Sequence, residues 1–245
     1  MLNKMYISAS SSNSDMIICR IVSVYNNVNK IDSYPIIYDK ILIIKQIILY
    51  GQFSTSVCDK LVRQSIYTKV IFPEYHYTDD RVITIQSIYY SNNINYLDEA
   101  LYYYNKNDES VCGISNQEKK IKDEYNNLIA IELFLKNNNI FSDVEIEFTY
   151  RSNILKASFL KNRKLRKYSK EVFFKLYPNS VNNIKYNKYK LGAFDKFILN
   201  NKNKIFIFFI IDVYIIFENI IKWFYKLIIP KKIRYSLWEK RNNIC

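Results

Sequence analysis

Glycine is nearly missing from this chain, at 3 of 245 residues, and proline is scarce at 4. Loops that wrap backbone amides around a phosphate depend on glycine, because only glycine lets the chain turn and approach closely enough. Neither G-x-x-x-x-G-K nor G-x-G-x-x-G occurs, which excludes the common mononucleotide and dinucleotide loops. The cysteines Cys19, Cys58, Cys112 and Cys245 form no C-x-x-C and no Cys/His spacing. That excludes a zinc knuckle and a disulfide framework and fits a reducing compartment. Histidine occurs once, as His76, and a single imidazole without a spaced Cys or carboxylate set is no metal site. The opening MLNKMYISASSS lacks the apolar run of a secretory signal.

What is abundant is Asn, Lys, Ile and Tyr, with 23 tyrosines. A/T-rich codons write these four residues, so the excess of Lys over Arg carries little message. The placement of charge says more than its sum of +13. Residues 151–245 hold 22 bases and 5 acids, a balance of +17, against −4 for residues 1–150. Such asymmetry points to a basic arm that meets an anionic surface. A solvated helical face is the plainer alternative. Interleaved Lys and Tyr at 185–190 resemble tracts that bind single strands. No recognised nucleic-acid motif accompanies them, and nucleic acid is not an expected partner.

The chain reads as α/β. A helix ends near residue 10, and Met16 to Val24 form an almost unbroken apolar run, the habit of a strand covered on both faces in a parallel sheet. DKILIIKQIILY at 39–50 has helical spacing and stops at Gly51. Further helices are predicted over 56–63 and, packed on one side, after Asp79-Asp80. Short strands are predicted at 94–97 and 101–104. Ser115-Asn116-Gln117-Glu118 is a capping-box pattern ahead of a long helix to about Lys136. A basic helix then runs through Lys175, with Pro178 and an Asn-rich link at 182–187 beyond it. Ile205 to Ile229 is strongly apolar but interrupted by Asp212, Glu218, Asn219, Lys222 and Lys226. At about 100° per residue, Asp212, Asn219, Lys222 and Lys226 share one narrow stripe, which argues against a membrane span. The opposite face, with Phe206, Phe209, Ile216, Phe217, Trp223 and Phe224, suits either a membrane interface or the protein's own core. Trp223 and Lys231-Lys232 would then sit at headgroup level.

Asp79-Asp80 is the most suggestive pair. By itself it has a plain structural account, the acidic start of a helix. Its surroundings carry more. Lys60-Leu61 and Arg63 are followed by Phe72-Pro73-Glu74, then Asp79-Asp80, then Tyr96-Leu97, Leu101 to Tyr104 and Ser110. In this order the segments resemble the acceptor half of a family 2 glycosyltransferase of GT-A type, as found in bacterial surface-polysaccharide synthesis. Tyr75 stands where that family usually has Gly, and Cys58-Asp59 where Trp-Asn is common.

The resemblance implies an inverting transfer from a nucleotide sugar to a glycan or lipid-linked acceptor, with Asp80 as general base beside Asp79. It implies a cytoplasmic protein held peripherally on the inner face of the cell membrane. A divalent metal, Mn or Mg, is expected for the full-length family. The D-x-D site that would hold the metal, and the nucleotide-binding strands, are expected ahead of Met1, so that the chain alone would be inactive. On this reading residues 1–112 are a truncated GT-A-like sheet half. Residues 113–245 are a mostly helical basic extension with an amphipathic membrane-associating helix near 205–229. The alternative is a non-catalytic peripheral membrane or partner-binding protein derived from such an enzyme.

Overall fold

The computed structural model describes residues 1–25, 28–32, 34–49, 51, 53–75, 77–105, 116–177, 191–200 and 204–228. The sheet is organised around β1, Met16–Tyr25, the apolar run seen in the sequence. β4, Ile94–Asn105, lies parallel to it, from Met16↔Ile94 to Val24↔Asn105. Two short antiparallel strands share the other edge. β3, Lys60–Val62, pairs with Met16 to Ile18, and β2, Val28–Ile31, pairs with Val22 to Tyr25. The sheet is therefore mixed, and the burial of β1 comes from helices on both faces. Alternate residues divide between two layers. Ile17 and Cys19 meet α1, Leu2–Ser11, through Met5, whereas Met16 and Ile18 enter the main core.

Two elements depart from the sequence expectation for one reason: the edges of β1 need partners. No helix spans 56–63. Lys60 to Val62 extend because the edge of β1 offers unpaired amides and carbonyls, and the chain turns helical only at α3, Gln64–Tyr67. The two predicted strands at 94–97 and 101–104 are a single strand, whose pairing slips between Cys19↔Leu97, Arg20↔Ala100 and Ile21↔Tyr102. The break in pattern is a bulge.

α2, Lys40–Ile48, is capped by Asp39, whose carboxylate accepts from the Leu42 amide at 2.9 Å. α4, Asp79–Tyr90, is the centre of the molecule. Every residue from Arg81 to Ile88 is buried, not one face alone, because β1, α2 and α5 close around it. α5, Gln117–Asn137, starts from Asn116, whose side chain accepts from the Glu118 amide at 2.9 Å. Ser115 of the predicted capping box lies outside the described residues. α6, Phe141–Lys161, a 3-10 turn at Arg166–Tyr168 and α7, Ser169–Lys175, follow. One apolar core runs from Met16 to Tyr177 through these elements. The architecture is thus an α/β sheet layer followed by a mostly helical carboxyl-terminal part, as expected.

A second, smaller core joins α6 to α8, Ala193–Asn200, and to α9, Lys204–Ile228. The aromatic face of α9 named from the sequence does not enter the protein's own core in its described residues, and the helix is held by a different face. Phe208, Ile211 and Ile215 dock on the protein, Ile211 completely buried, while Phe209, Ile216 and Phe217 are exposed. Among the described residues no helix is long and apolar enough to cross a membrane. His76, Ser110, Pro178, the 182–190 stretch and Lys231-Lys232 lie outside the described residues, as do the side chains of Phe206, Asn219, Lys222, Phe224 and Lys226.

Candidate active site

Asp79 and Asp80 open α4, and they divide the work of that helix start. Thr78, at φ 70° and ψ 15°, is the N-cap residue and makes no capping bond with its side chain. This left-handed backbone is unusual for a β-branched residue. Asn127 of α5 braces it from behind, donating from Nδ2 to the carbonyls of Tyr77 at 2.7 Å and Tyr75 at 3.3 Å. Asp79 serves the helix, accepting the Asp80 amide at 3.0 Å. The Asp80 carboxylate accepts from the amide of Val57, in the loop that leads into β3. The capping account therefore fits Asp79 and leaves Asp80 unexplained.

The surroundings of Asp80 come from distant parts of the chain. Burial and then the charge of Asp79 raise its pKa above the usual carboxylate range, while the Val57 amide and Lys60 pull the other way. The Tyr67 hydroxyl of α3 feels burial and then the Asp80 charge. Tyr102 of β4 hydrogen-bonds the Cys58 side chain, the main cause of its raised pKa, and Asp80 adds a smaller push. Asp80 thus sits half-buried among Cys58, Tyr67 and Tyr102, with Asp79 beside it. Phe72 stacks on Tyr67, ring centroids 6.2 Å apart, and is itself exposed.

Lys60 and Arg63, which open the segment that resembles the family, are both committed to structural contacts. Lys60 is buried, and its three donors are all used, on the carbonyls of Ser54 at 3.0 Å and Ser56 at 2.6 Å and on Asp59 at 2.7 Å. Asp59 also accepts from the Tyr34 hydroxyl at 3.1 Å. This buried knot fixes the Ser54–Lys60 loop whose Val57 amide reaches Asp80. Arg63 holds Asp15 at 2.9 Å and the side chain of Asn13 at 3.2 Å, tying β3 to the α1–β1 turn.

No group of three or more His, Cys, Asp or Glu side chains suited to a metal ion occurs among the described residues. Asp79 and Asp80 stand without a third ligand, because Asp59 is taken by Lys60 and Tyr34. The residues present do not fit the metal that the family resemblance implies, and no chemical step is routed through one. Two grooves among the described residues lie away from the pair. One of about 380 Å³ runs between α1 and β3, past Tyr6, Ser10, Asp15 and Arg63. Another of about 760 Å³ lies beside α9. Asp79 and Asp80 line neither.

Sequence reading found the acidic pair and the segment that holds Tyr102, without giving Tyr102 a role, and missed Val57, Tyr67 and Asn127. Nothing local marks Asn127, which reaches the Asp79 loop from about fifty positions along the chain. The alternation of apolar residues in β4 gives the one usable hint for Tyr102, since it sets which tyrosines share a face.

No known family model matches the chain, and no curated protein matches it. Among solved structures it is similar to S. aureus TarS residues 1–349 in complex with UDP-GlcNAc. The identity is 14% and the TM-score 0.41, covering 80% of this chain and 66% of that one. S. aureus TarS 1–349 without that ligand aligns at 16% identity and a TM-score of 0.35, over 78% and 64%. The chain spans just under two thirds of each of these proteins.

Proposed function

We propose that this chain carries the acceptor side of an inverting glycosyltransferase of the family 2 kind, with Asp80 as general base and Asp79 as the charge that raises its proton affinity. The observation that supports this reading is convergence. Of the segments whose order resembles that family, Lys60, Asp79-Asp80 and Tyr102 of β4 are far apart in sequence, and the charge of the half-buried Asp80 carboxylate is felt by Lys60 and Tyr102 as well as by Asp79. In the transfer an acceptor hydroxyl oxygen bonds to the anomeric carbon of a nucleotide sugar. The bond from that carbon to the diphosphate breaks with its electron pair on the leaving group, and the hydroxyl proton passes to Asp80. Attack opposite the leaving group inverts the centre. A base whose pKa is raised holds the received proton better than an ordinary aspartate would. The acceptor would be a surface polysaccharide or a lipid-linked glycan at the inner face of a bacterial membrane, and the donor a nucleotide sugar.

Two measurements test this. Transfer from a panel of nucleotide sugars should fall about 10²- to 10⁴-fold in Asp80→Asn with little change in KM. Wild-type turnover in that variant would end the assignment. For the chain by itself, NMR titration with neutral oligosaccharides should shift signals of Cys58, Tyr67 and Tyr102 first. One observation favours a second reading, a non-catalytic binding protein derived from such an enzyme: Lys60 and Arg63 are spent on structural contacts, and the grooves of about 380, 430 and 760 Å³ among the described residues are not lined by the acidic pair. Acceptor-induced shifts without any transfer by the whole protein would favour it.

A further inference from the structure

We infer that α9 and the basic turn before the 3-10 segment form a docking surface for an anionic phospholipid bilayer, one that lies on the membrane without crossing it. The reasoning begins with how α9 is held. Arg166 grips Asp212 with both ends of its guanidinium, at 2.8 and 3.1 Å, and stacks over Phe208 at 4.9 Å. With Ile211 buried beneath, this fixes which way the helix is turned. The consequence is a rigidly presented apolar face. Phe209, Val213, Ile216, Phe217, Ile220 and Ile221 are between 47% and 68% exposed. At about 100° per residue they fill one arc of the helix, and neither Asp212 nor Glu218 falls within it. Water is a poor solvent for so wide a stripe, and single soluble chains rarely keep one uncovered.

Charge says what covers it. Ile216 of the stripe also lines the groove of about 760 Å³, where Lys161, Arg163 and Lys164 are matched by Glu118, Asp212 and Glu218, and Lys164 pairs with Glu118 at 3.0 Å. The excess of positive charge lies in the neighbouring groove of about 430 Å³, where Arg163 and Lys164 are joined by Lys122, Lys167 and Tyr168 against the single acid Glu118. There two ammonium groups, Lys122 at 4.8 Å and Lys167 at 5.0 Å, converge on the single ring of Tyr168. Arg163, Lys122 and Lys167 form no ion pair among the described residues. Like charges gathered on one ring repel, and an anion between them removes the repulsion. An apolar stripe with a cationic groove beside it is the pattern of helices that lie in the plane of an anionic interface. A lipid phosphate would occupy the Tyr168 groove while the stripe enters the acyl boundary. The inference takes from the proposed function only the membrane side on which the protein works, and vesicle binding needs no sugar transfer, so either can fail alone.

Co-sedimentation of the whole chain with vesicles tests it. Binding is expected to vesicles containing phosphatidylglycerol, and about tenfold weaker or worse to phosphatidylcholine alone. It should weaken as salt rises from about 0.1 M to about 1 M, where the screening length falls from about 10 Å to about 3 Å. Lys122→Glu with Arg163→Glu and Lys167→Glu, and separately Phe217→Asp with Ile220→Asp, should each lower binding about tenfold or more. All five positions are on the surface, and circular dichroism checks that the fold is kept. Lipid and salt dependence of the unaltered chain decides the matter even if a variant fails to fold. Equal binding to both vesicle types, or no effect of the charge reversals, overturns the inference. So does a stable dimer in sedimentation analysis that Phe217→Asp dissociates while vesicles capture nothing, since a second copy would then cover the stripe. Inorganic phosphate that saturates the Tyr168 groove with no vesicle binding at all overturns it as well.

Discussion

Asp80 is held where its ionised form is uncomfortable, and the sign of that discomfort can be measured. Its pKa is raised first by burial and then by Asp79, so the folded protein binds this proton more tightly than the unfolded chain does. Above the folded pKa the carboxylate is ionised in both states and is less favourable in the native one. Below the unfolded value, about 4, it is protonated in both and the difference is gone. Asp80→Asn keeps an oxygen for the Val57 amide and removes the charge. It should therefore stabilise the protein at pH 7, by on the order of 0.5 kcal/mol after allowing for solvent screening, or a degree or two in Tm. That gain should shrink as pH falls towards 4. Thermal melts of both proteins across this range check it, and a variant less stable at pH 7 would contradict the picture. A side chain kept at a cost to stability is what a functional site looks like. Asp79-Asp80 was legible because the two residues are adjacent. Val57, Tyr67 and the role of Tyr102 were not, because β3 and β4 bring these residues together only after the sheet has formed.

At the scale of elements, α4 shows why a correct helix was given the wrong environment. The sequence predicts packing on one side, which would leave Arg81, Thr84, Gln86 and Ser87 largely to solvent. Each is buried instead. Gln86 is bonded to both the amide and the carbonyl of Ile71 at 2.9 Å, and Thr84 donates to the Thr55 carbonyl at 2.9 Å. Arg81 faces Glu124 of α5, which in turn pairs with Arg151 of α6. Periodicity reports polarity, and it cannot report that another helix will answer it. The strand at 60–62 was misread for the related reason that the edge of β1 was invisible, whereas β1 and α2 were plain because their apolar spacing and the Asp39 cap are local. The Arg81–Glu124–Arg151 cluster ties three helices behind the acidic pair. Removing its middle member leaves two guanidiniums buried without their carboxylate. Glu124→Leu should cost about 3–5 kcal/mol. Replacing all three residues by apolar ones of similar size should cost far less, since the buried charges then leave together. Denaturant titration of the two variants separates these outcomes. If the triple variant is the worse of the two, the cluster stabilises the helices outright.

Across the whole molecule, two cores divide the labour. The larger encloses α4 and so positions Asp80. The smaller, built from Ala157, Leu160, Leu191, Ile198, Leu199 and Ile211, holds α9 against α6 and α8. The two cores meet along α6, which gives Phe148, Leu155 and Phe159 to one and Ala157 and Leu160 to the other. If α6 is a rigid wall, a change on the exposed stripe of α9 should leave the Asp80 environment alone, since no side chain is shared between them. Asp80→Asn and Phe217→Asp should then have effects on unfolding free energy that add within about 0.5 kcal/mol, as independent sites do. The raised Asp80 pKa, followed by carboxyl NMR, should be the same in Phe217→Asp as in the unaltered chain. A coupling energy beyond about 1 kcal/mol would mean that α6 transmits strain between the cores, and membrane contact would then alter the acidity of the residue assigned as base.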